Sequence, residues 1–465
     1  MRKLAARQLA TAFVAALAVT ATPVATAVAA PATTSAVTAQ DPFYRYDGSR
    51  PLSSYEPGTV LRTRTLTYHV EGIPTPLTAV QLLYRTTDAQ GRPTANVTTV
   101  VRSLRGDGSK AVSYQSYYDS LNPADAPSRA IAGDVTLGGV LANSENLFLA
   151  PLLLQGYNVI IPDTEGQTAD FAAGPEYGTD TLDSIRAATR PSSDGGADTS
   201  SGTSNTGTNV DTGMSTDTRI GLLGYSGGSI ATNWAAALAP AYAPDVNARL
   251  VGFAEGGLLV DPAHNLSYVN GSLLWSGVIP MTILGIDRAY DSGLKSYLNS
   301  YGLSVYDKLE HGSLFDAQGH YPGLTWQKMM KPQYADPDSV PAFVSAANKL
   351  NLGSAATPTV PGFLAEGNQG LTEGTLNGPA GIGSGDGVMV AGDVRALVRQ
   401  YCATGNQAME YRQYDLLSHV ATSPVWAPNA MAWLNDRFAG RPAPSDCGRI
   451  PAGNSLAPEQ STSTS

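Results

Sequence analysis

The chain of 465 residues predicts an α/β fold: a mostly parallel sheet with an antiparallel N-terminal part and a helical cap insertion. Three observations predict it. Alternating strand-like runs crowd residues 58–102. Beyond them, short continuous apolar runs alternate with helical stretches. Residues 262–356 then lose almost all strand signal. Continuous apolar strands need cover on both faces, which helices flanking a parallel sheet provide.

The elements follow in order. Residues 60–64, 79–84 and 97–104 read as antiparallel strands, separated by turn clusters such as Asp88-Ala89-Gln90-Gly91-Arg92-Pro93. A strand over 112–117, a helix over 147–155, an apolar strand over 157–162 and a helix over 179–189 come next. Residues 220–224 form another apolar strand. It leads to an Ala-rich helix over 229–238 and a strand over 250–255. Two segments break this rhythm. Residues 191–217, mostly Ser, Thr, Gly, Asp and Asn, predict a polar loop. Residues 262–356 predict the cap, with helices over 286–299 and 340–350 and an apolar patch over 278–286. Alternation returns with a strand over 360–365, a helix over 392–402, a strand over 409–414 and a helix over 428–438. The expected organisation is a core of 41–261 and 357–447, a cap of 262–356, and a disordered tail of 448–465.

Composition narrows the function. Hydrophobic residues are 42% and charged residues 15%, against about 25% charged in ordinary soluble proteins, so a disordered chain is excluded. A net charge of −10 excludes a nucleic-acid binder, which needs a basic face. Arg2, Lys3 and Arg7, an apolar run over 9–19 and Ala27-Val28-Ala29 predict a signal peptide over 1–30 and a secreted product. No internal apolar run reaches spanning length, so no stable transmembrane insertion is expected. The only cysteines, Cys402 and Cys447, would pair in an oxidising compartment. They exclude a Cys-built metal site. No GxGxxG follows a strand and no GxxxxGK[ST] is present, so no nucleotide cofactor is predicted.

The chemistry points to a serine nucleophile. Gly224-Tyr225-Ser226-Gly227-Gly228 is the one GxSxG in the chain, set between an apolar strand and an Ala-rich helix. That context is a nucleophile elbow, which presents the Ser226 hydroxyl at a helix N-terminus. A serine needs a base, and the base a carboxylate to orient it, following in the order Ser, acid, His. Of the five histidines, His69 precedes the serine on a strand and reads as structural. His264, His311 and His320 fall in the cap. His419 follows the last strand in a loop, where the base belongs. Glu366, Glu373 and Asp386 are the candidate acids, with Asp386 favoured just before the helix that ends at Cys402. Gly227 supplies one oxyanion donor, and Asp119, at the end of Ser113 to Asp119, is a candidate for the second through its backbone N–H.

These residues resemble the secretory lipase family, α/β-hydrolases similar to fungal lipase A and its actinobacterial relatives. The resemblance rests on Ser113 to Asp119 with Ala126-Pro127-Ser128, on Pro162-Asp163-Thr164-Glu165-Gly166, and on Leu182-Asp183-Ser184-Ile185-Arg186-Ala187. It continues through Gly224 to Gly228, Ala239-Pro240-Ala241-Tyr242-Ala243-Pro244, and Asp386 to Cys402. It implies an α/β-hydrolase fold and a triacylglycerol lipase or esterase with nucleophile Ser226, acid Asp386, base His419 and oxyanion donors Asp119 and Gly227. It implies no metal or organic cofactor, and a lipid or other ester substrate met at a lipid–water interface. Three departures stand out. Asp125 occupies a position often Cys in the family, so one family disulfide should be absent. The loop 191–217 is inserted, and the stretch 367–385 is longer than usual. Two other functions fit the same residues: an acyltransferase using the same triad, and a catalytically silent binding protein on this scaffold.

Overall fold

The computed structural model describes residues 41–190 and 211–462. The predicted signal peptide, residues 191–210 of the polar loop and residues 463–465 lie outside it. A nine-stranded sheet in the order β1-β2-β3-β5-β4-β6-β7-β8-β9 forms the centre. Strands β1 (Val60–Val70), β2 (Ile73–Thr87) and β3 (Pro93–Val101) are antiparallel, as is the β3–β5 pairing. The rest is parallel: β4 (Lys110–Gln115), β5 (Asn158–Pro162), β6 (Arg219–Tyr225), β7 (Leu250–Gly256), β8 (Gly362–Gly367) and β9 (Met409–Tyr414). The predicted α/β-hydrolase architecture is therefore present. β5 is buried at every residue, which is why 157–162 reads as a continuous apolar run; β8 is buried throughout as well, with Glu366 inside it.

Helices cover both faces. The helices of eight or more residues among those described are α1 (Val140–Leu154), α2 (Gly174–Thr189), α3 (Gly227–Tyr242), α4 (Pro262–Val269), α5 (Val278–Tyr290), α6 (Ser300–Leu309), α7 (Pro341–Leu350), α8 (Ala391–Ala403) and α9 (His419–Phe438). Apolar side chains of α2, α3 and α8 pack on one side of the sheet. Those of α1 and α9 pack on the other. A third cluster is built mainly from α4 to α7, which run between β7 and β8, with Trp275, Trp326 and Phe343, and it takes in Leu121, Phe171 and Met389 from the rest of the chain. It holds the segment read as a cap.

Several predicted bounds shift, each for a physical reason. The hairpin β1–β2 is far longer than the two short runs read from sequence. Its turn is Glu71-Gly72, with both residues at positive φ (52° and 71°), as a two-residue type I′ turn requires. Pro74 and Pro76 disguise the strand. They fall in the part of β2 that pairs only with β1, since pairing to β3 begins at Ala79, and proline is tolerated there. The apolar patch 278–286 and the head of the predicted helix 286–299 are one helix, α5, followed by a 3₁₀ turn over Leu294–Tyr297. α9 starts nine residues before the predicted 428, because Pro424 and Pro428 sit inside it where proline normally breaks a helix.

Cys402 and Cys447 form a disulfide, and no cysteine remains for the second family bridge. Asp125 at that position accepts hydrogen bonds from Ser120 Oγ (2.6 Å) and Thr136 Oγ1 (2.5 Å). The tail expected to be disordered is not so over 448–462. It has no helix or strand, but side-chain hydrogen bonds fasten it. Asn454 Nδ2 donates to Asp393 Oδ1 (2.7 Å) and Ile382 O (3.0 Å), and Glu459 N–H donates to Asn348 Oδ1 (2.7 Å). Its polar composition hid these specific partners. The disulfide closes a loop across a separation of 45 residues. Opening it with Cys402→Ser and Cys447→Ser together is expected to cost about 4 kcal/mol by loop entropy. A lower denaturant midpoint, matched by wild type under reductant, is the check.

Candidate active site

Ser226 stands between β6 and α3 at φ 54° and ψ −123°, a region that an L-residue occupies only under strain of about 1–3 kcal/mol. Two glycines allow the bend. A Cβ at Gly224 would lie 2.2 Å from Gly228 O, and one at Gly228 would lie 2.1 Å from Gln115 O. Strand and helix can approach this closely only with both side chains absent. The Ser226 N–H is already used, donating to Gly256 O (2.9 Å).

His419 is brought to Ser226 from far downstream. It is not in a loop, as the sequence suggested, but is the first residue of α9, capped by Ser418. Its Nε2 lies 2.7 Å from Ser226 Oγ and its Nδ1 2.5 Å from Asp386 Oδ2. The Asp386 carboxylate only accepts, so Nδ1 carries the proton and Nε2 offers its lone pair to the serine hydroxyl. The backbone repeats the link: His419 N–H donates to Asp386 O (2.7 Å). Tyr225 OH donates to His419 O (2.6 Å). Gly257 leaves room for the ring, since a Cβ there would sit 2.6 Å from His419 Cε1.

Asp386 is fully buried in the long connection after β8. Its Oδ1 accepts from the N–H groups of Val388 (3.0 Å) and Met389 (2.7 Å). Burial alone would raise its carboxyl, but the His419 charge and these donors hold it below its ordinary value. Burial likewise acts to lower the His419 imidazole, and Asp386, with Glu373 and Asp119 behind it, outweighs this and holds it above its ordinary value.

The loop after β4 brings Asp119 to the same point. Asp119 has φ 38°, and its carboxyl abuts Gly227 so closely that a Cβ there would meet Oδ1 at 1.8 Å. Burial pushes that carboxyl up to about 7, with His419 opposing. The loop is buttressed from behind. Glu145 accepts from Tyr117 N–H (3.0 Å) and from Ser116 Oγ, and Glu165 accepts from Ser120 N–H (3.2 Å). It is also joined to the helical segment: Leu314 N–H donates to Asp119 O (2.9 Å) and Leu121 N–H donates to Gly312 O (2.8 Å).

Asp119, Ser226 and Gly227 open onto one cleft of about 830 Å³. Its lining is mostly apolar: Val278, Ile279, Ile283 and Ile286 from α5, which adds one polar residue, Thr282, together with Trp326 and Phe343. The patch 278–286 is therefore both core and wall.

The other candidates separate. His69 Nδ1 faces Ile131 O (3.2 Å), while His311 and His320 are exposed. Glu373 is no partner of His419 Nδ1. Its Oε1 accepts from Val420 N–H (2.9 Å) and its Oε2 from Trp275 Nε1 (2.6 Å). Trp275 stands edge-on to the imidazole at 5.3 Å. No local sequence signal identifies Trp275 or Glu145. Among the described residues, Asp261, His264 and Glu459 lie near enough to share a metal ion, but His264 Nδ1 bonds to Asp393 Oδ1 (2.9 Å) and the group is no part of the line through Ser226.

If Asp386 sets the imidazole's charge preference, Asp386→Asn removes the largest opposing influence. The His419 ring, titrating above about 6.5 in wild type, is then expected to titrate below it. Imidazole proton resonances followed across pH measure the shift.

The chain matches the secretory lipase family over residues 133–372 and 379–446. It is 28% identical over 427 residues to Lipase 5 of Candida albicans, covering 88% of this chain and 83% of that protein. It is 32% identical over 413 residues to a Mycobacterium tuberculosis protein named probable inactive lipase MT1628, covering 86% and 82%. Candida antarctica lipase A in its closed state shares the fold, with a TM-score of 0.71 at 23% identity over 91% of each chain. The chain belongs to the secretory lipase family of carboxyl-ester hydrolases.

Proposed function

We propose that this secretory lipase cleaves acylglycerol esters at a lipid–water interface, with Ser226 as nucleophile, His419 as base and Asp386 as the orienting acid. The observation that carries the reading is the unbroken line Ser226 Oγ–His419 Nε2 (2.7 Å) and His419 Nδ1–Asp386 Oδ2 (2.5 Å). Such a line supports activity rather than a silent scaffold, because an idle serine would have no need of a buried, oriented imidazole.

In this mechanism His419 Nε2 takes the Ser226 proton as Oγ attacks the ester carbonyl. The backbone N–H groups of Gly227 and Asp119 hold the resulting oxyanion. The imidazolium returns the proton to the leaving alcohol, and water repeats the sequence on the acyl-enzyme. Support for a fatty acyl group comes from the α5 wall, where Val278, Ile279, Ile283 and Ile286 are apolar and only Thr282 is polar. Support for an interface comes from exposed apolar residues beside His419. Leu273, Leu371, Leu416 and Val420 are all at least 43% exposed. Two hydrogen bonds gather their loops around the imidazole, Leu273 N–H to Gly374 O (3.0 Å) and Val420 N–H to Glu373 Oε1 (2.9 Å). Among the described residues no helix is long and apolar enough to cross a membrane.

Wild type is expected to be labelled by a fluorophosphonate probe and Ser226→Ala not, with p-nitrophenyl ester turnover falling roughly 10⁶-fold. Undiminished turnover in that variant would sink the reading. Gly227→Ala forces a methyl group against the Asp119 carboxyl. It is expected to keep the wild-type circular dichroism but lower kcat/KM roughly 10²–10³-fold, the scale of one lost oxyanion donor.

A further inference from the structure

A second buried carboxyl group lies beside Asp386, and the mechanism above makes no use of it. Glu366, near the end of β8, is fully buried. Its Oε2 accepts from Leu258 N–H (3.1 Å), while Oε1 has no donor among the described residues. What Glu366 does face is the carboxyl of Asp386, within hydrogen-bonding reach. The chain segments touch: a Cβ at Gly367 would lie 2.8 Å from Asp386 Cβ. The other titratable groups facing Glu366 are Tyr225, Tyr268 and Tyr411, all phenols that stay neutral.

Two carboxylates so close and so dry cannot both be ionised. The charge belongs where the donors are. Asp386 receives Val388 N–H, Met389 N–H and His419 Nδ1–H. Glu366 has no comparable set, and burial with the Asp386 charge pushes its carboxyl well above the ordinary range. A proton on Glu366 also accounts for the oxygen without a donor, because that oxygen then does the donating.

We infer that Glu366 is a neutral carboxylic acid whose O–H donates to the Asp386 carboxylate, a positioning residue behind the triad; the inference rests on the triad reading above. The bond fixes the carboxylate plane so that Oδ2 faces His419. It also makes Asp386 less basic, so the proton taken from Ser226 stays on the imidazole.

Two measurements on the intact protein test this. The infrared difference spectrum near pH 7, wild type minus Glu366→Gln, is expected to show a protonated-carboxyl C=O band in wild type; a carboxylate stretch in its place overturns the inference. In ester kinetics, Glu366→Gln keeps a donor and is expected to stay within severalfold of wild-type kcat/KM. Glu366→Leu keeps the bulk without the donor. Its kcat is expected to fall roughly ten- to hundredfold with little change in KM, by analogy with partners that orient metal ligands. Its acidic limb should move to higher pH, because an Asp386 without that donor holds the imidazolium more tightly. Equal activity and pH profiles in the two variants also overturn the inference. If Glu366→Leu does not fold, the infrared band still decides. Full turnover in Asp386→Asn would defeat the triad reading while leaving the band to be judged separately, so the two failures are distinguishable.

Discussion

A serine hydroxyl at neutral pH keeps its proton, so its reactivity is borrowed from whatever group is aimed at it. Here that group is an imidazole with almost no freedom. Asp386 accepts its Nδ1 proton and its backbone N–H, Tyr225 holds its carbonyl, and Trp275 stands at its edge. The ring also begins α9, whose apolar side chains pack against the sheet. The position of one nitrogen is thus anchored in the hydrophobic core. Strain at Ser226 and glycines at 224, 228 and 257 serve the same end, bringing hydroxyl and ring to hydrogen-bond distance from opposite sides of β7.

Charge is concentrated here in a manner unusual for so apolar a chain. Asp386, Glu373 and Asp119 act on His419, with Glu366 behind Asp386, yet only some can carry a charge in a site this dry. Donors decide which. Asp386 has several and stays ionised, whereas Asp119 has burial against it and sits near 7. The charges that raise the His419 imidazole are all acidic, Asp386, Glu373 and Asp119, so a protonated ring is their natural counter-charge.

Much of this was legible in the sequence. Ser226, His419 and Asp386 could be read because chemistry demands particular residue types in a particular order, and because strand–turn–helix context is local. Asp386 is favoured over Glu366 and Glu373 from its place before a helix, and the resemblance points to it again, although the connection 367–385 is long. What local patterning could not reveal were contacts between distant segments. Trp275 meets His419 across 144 residues only because Glu373 ties their loops together. The tail after Cys447 reads as featureless, yet Asn454 finds Asp393 and Ile382, and Glu459 finds Asn348, in the body of the protein. Helix bounds failed where proline sat inside a helix, because tertiary packing overrode a local preference.

The backbone bonds between residues 119–121 and 312–314 carry a consequence for motion. They tie the loop that carries Asp119 to the helical segment around Leu314, which lines the same cleft. A displacement of that segment would therefore pull on Asp119, whose carboxyl abuts Gly227.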